Sequence, residues 1–117
     1  FTPGFAPPEQ YYDRKHLGPW SDIYSIGASM YACMQRTSPQ PADLRMKTDT
    51  LLPAMAAGRQ VYSDKLLAII DHCMQLDYML RPQSVFSLQK KMLEVRVIDD
   101  PRGSLVDKII KVLTKPL

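Results

Sequence analysis

The sequence lacks a long apolar run. Its apolar runs reach no more than five residues, as in Leu66-Leu67-Ala68-Ile69-Ile70. A membrane-spanning helix needs about 20 apolar residues, so no membrane span is expected. Cysteine is scarce, with Cys33 and Cys73 the only two. Their spacing matches no metal motif, and two cysteines make a weak disulfide framework. Each falls on the apolar stripe of an expected helix, where a free cysteine behaves as a small buried hydrophobe. The default setting for such a chain is the reducing cytoplasm. Charge of one sign is not in excess either. The 15 basic and 12 acidic side chains leave a formal net charge of +3. That balance, with no basic face, argues against nucleic acid as a partner. The N-terminus has no charged, then apolar, then small-residue leader. It starts with Phe1 rather than Met, so a fragment of a longer protein is expected.

At 117 residues the chain has room for one domain with a modest core. Apolar residues make up 45% and charged residues 23%, which suits a folded protein. Pro3, Pro7, Pro8 and Pro19 exclude a long helix before residue 19, leaving room for one short turn at residues 9–12. Ile23, Ile26, Gly27, Met30, Tyr31 and Met34 then follow helical spacing, with Ser21 or Asp22 as the expected N-cap. Ala28, Ala32 and Cys33 make this helix apolar nearly all round, so burial is expected. Gly27 in its interior costs about 1 kcal/mol against alanine, which points to close packing.

Short helices are expected at residues 42–47 and 51–57, the second stopped by Gly58. Ser63 should cap a helix carrying Leu66, Leu67, Ile70, Cys73 and Met74 on one face. Residues 77–82 read as a loop, and Ser84 should cap a helix with Val85, Leu88 and Met92 on one stripe. After residue 93 the character changes. Asp99-Asp100-Pro101-Arg102-Gly103 reads as a turn, and Ser104 with Asp107 resembles a capping box. Val106, Ile109, Ile110 and Leu113 then form a stripe, with Lys108, Lys111 and Lys115 opposite. The expected fold class is all-α, with residues 1–93 as one unit and residues 94–117 as a tail bearing a short amphipathic helix. Docking of that helix onto the domain is favoured over a membrane-surface role.

Residues 2–9 read Thr-Pro-Gly-Phe-Ala-Pro-Pro-Glu, residues 20–27 read Trp-Ser-Asp-Ile-Tyr-Ser-Ile-Gly, and Arg81-Pro82 precedes the helix near residue 85. In this order and at these distances they resemble the back half of a protein-kinase catalytic domain. The likeness covers residues 2–93. Gln10 and the Gly18-Pro19-Trp20 lead-in are most similar to bacterial serine/threonine kinases. Pro7 stands where the family has the alanine of Ala-Pro-Glu, and Phe5 where it has tyrosine.

The resemblance implies the helical C-terminal part of the large lobe. It implies that Glu9 pairs with Arg81, tying the end of the activation segment to the lobe. It implies that Asp22 anchors the catalytic loop through backbone hydrogen bonds. It also implies that Thr2, Pro3, Gly4 and Phe5 form the loop that receives the substrate. The parent would transfer the γ-phosphate of ATP to protein serine or threonine, with ATP and Mg as cofactors. The Gly-rich loop, strand lysine, His-Arg-Asp loop and Asp-Phe-Gly ligand that position ATP and metal do not occur in this sequence. No catalytic residue, metal ligand or cofactor is therefore expected in this chain alone. His16 sits in a charged run read as a solvated loop, and His72 is read as structural or exposed. Implied partners are the missing N-terminal half of the kinase, a protein substrate and a second copy of the chain pairing through the uncovered helix at residues 22–34. The alternative is a non-catalytic helical interaction module derived from a kinase.

Overall fold

A computed structural model describes residues 1–95 of the chain. The turn at 99–103, the Ser104–Asp107 capping pair and the stripe from Val106 to Leu113 lie outside the described residues. The described part holds six α-helices and no strand. They are α1 (Pro8–Tyr12), α2 (Pro19–Gln35), α3 (Ala42–Lys47), α4 (Ala54–Ala57), α5 (Asp64–Cys73) and α6 (Val85–Leu93). Single 3₁₀ turns at Arg14–His16 and Tyr78–Leu80 join them. Both turns correct the expectation of plain loops at those places.

α2 is the centre. It starts earlier than the serine and aspartate suggest. Pro19 takes the first helical position, where its fixed φ suits the helix and its missing N–H costs nothing. Gly18 is the N-cap, and its N–H donates to the Ser21 hydroxyl at 3.2 Å. Ser21 and Asp22 thus lie inside the first turn rather than capping it. Ile23, Tyr24, Gly27, Ala28, Met30 and Tyr31 are buried along α2.

α5 packs against this face with Leu66, Leu67, Ile70 and Cys73 fully enclosed. Its N-cap is Ser63, whose hydroxyl accepts the Leu66 N–H. Gly27 is what lets the two helices meet. A β-carbon there would lie 2.5 Å from Cys73 Cβ and 3.1 Å from Met74 Cγ. The helix-propensity cost of glycine is offset by this close approach. α6 begins on its own serine cap, Ser84 to the Ser87 N–H at 3.0 Å, and adds Leu88 and Met92 to the core. Each fully buried aliphatic side chain of this kind contributes about 1.5–3 kcal/mol.

α4 starts at Ala54 rather than residue 51. Asp71 of α5 sets that boundary, because its carboxylate accepts the Ala54 and Met55 N–H groups at 2.6 and 3.0 Å. Two further expectations are corrected. α2 is not buried all round: Asp22, Ser29 and Cys33 are exposed along one stripe with the half-buried Ile26 between them. Cys33 is therefore an exposed thiol, whereas Cys73 is buried.

Candidate functional site

Thr2-Pro3-Gly4-Phe5 folds as a tight turn, closed by the Phe5 N–H on the Thr2 carbonyl at 3.2 Å. Proline second and a glycine at φ +94° third make this a type II turn. Gly4 is required twice over. Its left-handed backbone suits glycine, and a β-carbon there would lie 3.0 Å from the Pro39 carbonyl oxygen. On its other side the turn is fixed to α2, where the Ser25 hydroxyl donates to the Phe5 carbonyl at 2.8 Å. Thr2 and Pro3 remain exposed at the turn's tip.

The chain then dives inward through Ala6, Pro7 and Pro8 to Glu9, in the first turn of α1. Arg81 reaches Glu9 from 72 positions away. Nη1 donates to Oε2 at 2.7 Å and Nη2 to Oε1 at 2.9 Å, a bidentate fork. The residues are only 3% and 2% exposed. Each remaining guanidinium N–H also has an acceptor. Nε donates to the Gln75 carbonyl at 2.7 Å, Nη1 to that of Trp20 at 3.0 Å, and Nη2 to that of Leu76 at 3.2 Å. The guanidinium carbon stands 4.9 Å from the centroid of the Tyr24 ring, a cation–π contact. Ser21 donates a third hydrogen bond to Glu9 Oε2 at 2.7 Å.

Burial alone would raise the Glu9 pKa, but the hydrogen bonds from Arg81 and Ser21 prevail and hold it below the usual carboxylate value. The pair ties α1, the start of α2 and the turn before α6 into one unit. It is an anchor rather than a reactive centre, since both groups are enclosed and fully hydrogen-bonded.

Asp22 is exposed in the first turn of α2, and among the described residues no donor reaches its carboxylate. The structure therefore joins Glu9 to Arg81 and joins the turn at residues 2–5 to α2, but brings Asp22 to neither. Sequence reasoning missed Ser25, and it read Ser21 only as a cap. Their i, i+4 spacing on the helix-start face is the available signal.

It also missed a second clamp. Arg45 of α3 grips Asp49 through Nε at 3.0 Å and Nη2 at 3.1 Å. Its Nη1 donates to the Tyr24 hydroxyl at 3.1 Å and the Met74 carbonyl at 2.8 Å. The Arg45 hydrogen bonds lower the Asp49 pKa, while burial raises that of Tyr24.

His16 contacts Asp13 and stacks on Tyr78, with ring centroids 5.5 Å apart. His72 accepts a hydrogen bond at Nδ1 from the Lys91 ammonium at 3.0 Å. Burial, then the nearby Lys91 charge, lowers its pKa. Among the described residues no group of histidine, cysteine, aspartate and glutamate is arranged to hold a metal ion. None of the described helices is long and apolar enough to cross a membrane.

No family model matches the chain, and no curated protein does. Among solved structures, "PpkA-294 apo form" is similar, with a TM-score of 0.71 and 32% sequence identity. The match covers 78% of this chain and 31% of that one, so this chain spans under a third of its length. The fold is kinase-related and all-helical.

Proposed function

From this kinase-related fold we propose that the chain is the substrate-side part of the large lobe of a serine/threonine protein kinase. The parent transfers the γ-phosphate of ATP to protein serine or threonine, and this part holds the loop that receives the substrate. The observation that carries the reading is the buried Glu9–Arg81 fork. It joins the proline-rich segment behind the exposed turn at residues 2–5 to the central helix and the turn before α6.

A turn that must receive a peptide needs a rigid base, because a small misplacement of a positioned group costs catalytic rate steeply. Glu9, Arg81, Ser21 and Ser25 supply that base, and Thr2 to Phe5 are the contact residues. The exposed stripe of Asp22, Ser29 and Cys33 is the face on which the preceding half of the lobe packs, with Asp22 as its anchor. ATP and Mg are the parent's cofactors, held by the preceding half. Residues 1–93 form the lobe part and residues 94–117 its tail.

Titration calorimetry with Mg·ATP tests the division of labour. The chain of residues 1–117 is expected to bind no Mg·ATP. The same chain extended upstream along its reading frame is expected to bind it. Micromolar binding by residues 1–117 alone would overturn the reading. So would an extended protein that does not bind, which would leave a non-catalytic interaction module.

A further inference from the structure

His72 lies in the last turn of α5 and Lys91 in the last turn of α6, and the two meet. The Lys91 ammonium stands 3.0 Å from His72 Nδ1. An ammonium only donates, so Nδ1 carries a lone pair and the ring is the neutral tautomer with its proton on Nε2. The ring makes its other hydrogen bond to the Leu80 backbone, in the 3₁₀ turn Tyr78–Leu80. One imidazole thus ties α5, α6 and the turn between them.

The surroundings accommodate one proton here, not two. A helix C-terminus favours a cation, and two C-termini share this site. Lys91 is the charged group that faces the ring from α6. Neither Lys91 nor the nearby Glu94 belongs to an ion pair among the described residues. On α5, the Asp71 carboxylate is committed to the Ala54 and Met55 N–H groups. Cys73 stays a neutral thiol, buried with its pKa pushed up to about 12. At the turn, Asp77 accepts the Met79 N–H and Arg81 is bound to Glu9. These contacts leave no carboxylate beside the ring to balance an imidazolium next to Lys91.

We propose that the His72–Lys91 contact is a pH-sensitive latch on the C-terminal end of α6, closed at neutral pH and opened when Nδ1 gains a proton in mildly acid solution. Protonation removes the acceptor and sets two cations side by side. Lys91, on its flexible stem, then swings out to water. α6 keeps Leu88 and Met92 in the core but loses its polar tie to α5, so its last turn opens first. Burial, then the Lys91 charge, lowers the His72 pKa from 6.5. The contribution of the neutral ring is therefore complete above pH 6.5 and is lost as pH falls through the folded value. Glu9 is held below its ordinary 4.5, so the Glu9–Arg81 anchor is still charged where the latch begins to open. The proposal does not depend on the kinase reading, because it uses only contacts within this chain.

Hydrogen exchange followed by NMR on residues 1–117 tests it, read as protection factors to remove the intrinsic pH dependence of exchange. The amides of residues 91–95 should be less protected than those of α2 at every pH. From about pH 7.5 to about pH 5.5, where a histidine changes charge, they should lose protection in step with the His72 ring signal. The loss should be about threefold to tenfold, the factor expected for one hydrogen bond. His72→Asn keeps an acceptor near the Nδ1 position but has no proton to gain, and should abolish the loss. Lys91→Met keeps the stem without the ammonium, and the His72 ring should then titrate at higher pH. His16→Gln removes the histidine stacked on Tyr78 and should leave the loss in place. Equal protection in α6 and α2 at every pH would overturn the proposal, because the ring would then report only global unfolding. So would an unchanged loss in His72→Asn, a His72 titration unmoved by Lys91→Met, or a loss abolished by His16→Gln.

Discussion

Arg81→Ala should be the most damaging single change to this fold. The substitution leaves the Glu9 carboxylate, 3% exposed in the intact fold, without the Arg81 fork and with the Ser21 hydroxyl as its remaining side-chain donor. It also strips a hydrogen bond from each of the Trp20, Gln75 and Leu76 carbonyls. Leaving one member of a buried pair uncompensated costs about 3–5 kcal/mol. That is a large share of the roughly 5–15 kcal/mol that holds a typical domain folded. At about 4–8 °C per kcal/mol for a domain of this size, the melting temperature should fall by more than about 12 °C. Differential scanning calorimetry and urea titration would measure it. Lys90→Ala, at an exposed site on α6, should stay within about 0.5 kcal/mol of the parent chain.

The double change Glu9→Met with Arg81→Met should cost less than Arg81→Ala alone, because no buried charge is left behind. The pH dependence has a definite sign. The folded pKa of Glu9 lies below its ordinary value of 4.5. Its contribution is therefore fully present above pH 4.5 and is lost as pH falls through the folded value. The gap between the parent and Arg81→Ala should narrow in that acid range. A loss under about 1 kcal/mol at neutral pH, below the cost of a typical buried unpaired group, would refute the reasoning.

Gly27→Ala should destabilise by about 1–3 kcal/mol despite the better helix propensity of alanine, because the new methyl meets Cys73 Cβ at 2.5 Å. Urea titration would check this, and a gain in stability would mean that α2 and α5 can part without cost. His72 gives a second pH effect. Its folded pKa lies below the ordinary 6.5, so the unfolded chain takes up the proton first. Stability should drop as pH falls below about 6.5, and His72→Gln should flatten that part of a melting-temperature profile. An identical slope in the variant would assign the effect to other groups.

Much of the helical frame could be read from spacing. The buried stripe of α5 is the one that its leucines, isoleucine and cysteine trace in sequence. Ser63 and Ser84 cap because a serine before an apolar period has few other roles. Gly27 stood out as an unfavourable residue in a strong helical pattern, and its reason is the contact with α5.

Other features depend on neighbours that a local pattern does not contain. Periodicity gives the apolar positions of α2 but not which side has something packed on it, so Cys33 was assigned inward and is exposed with Asp22 and Ser29. Ser21 and Asp22 are the cap candidates that the local pattern offers for α2, whereas Gly18 is the cap and Pro19 the first helical residue, three residues before the start that a Ser21 cap implies. Nothing beside Arg45 in sequence reveals that it will hold Tyr24 and the Met74 carbonyl as well as Asp49. Glu9 and Arg81 are each unremarkable locally, and it was the resemblance, not spacing, that suggested pairing them across 72 positions.

The most direct test of the account is phosphoryl transfer. Radiolabelled ATP with Mg would be incubated with a protein acceptor and either residues 1–117 or the same chain extended upstream along its reading frame. The account predicts phosphoserine or phosphothreonine with the extended protein and no label with residues 1–117. Label transferred by residues 1–117 alone, or none transferred by the extended protein, would contradict it.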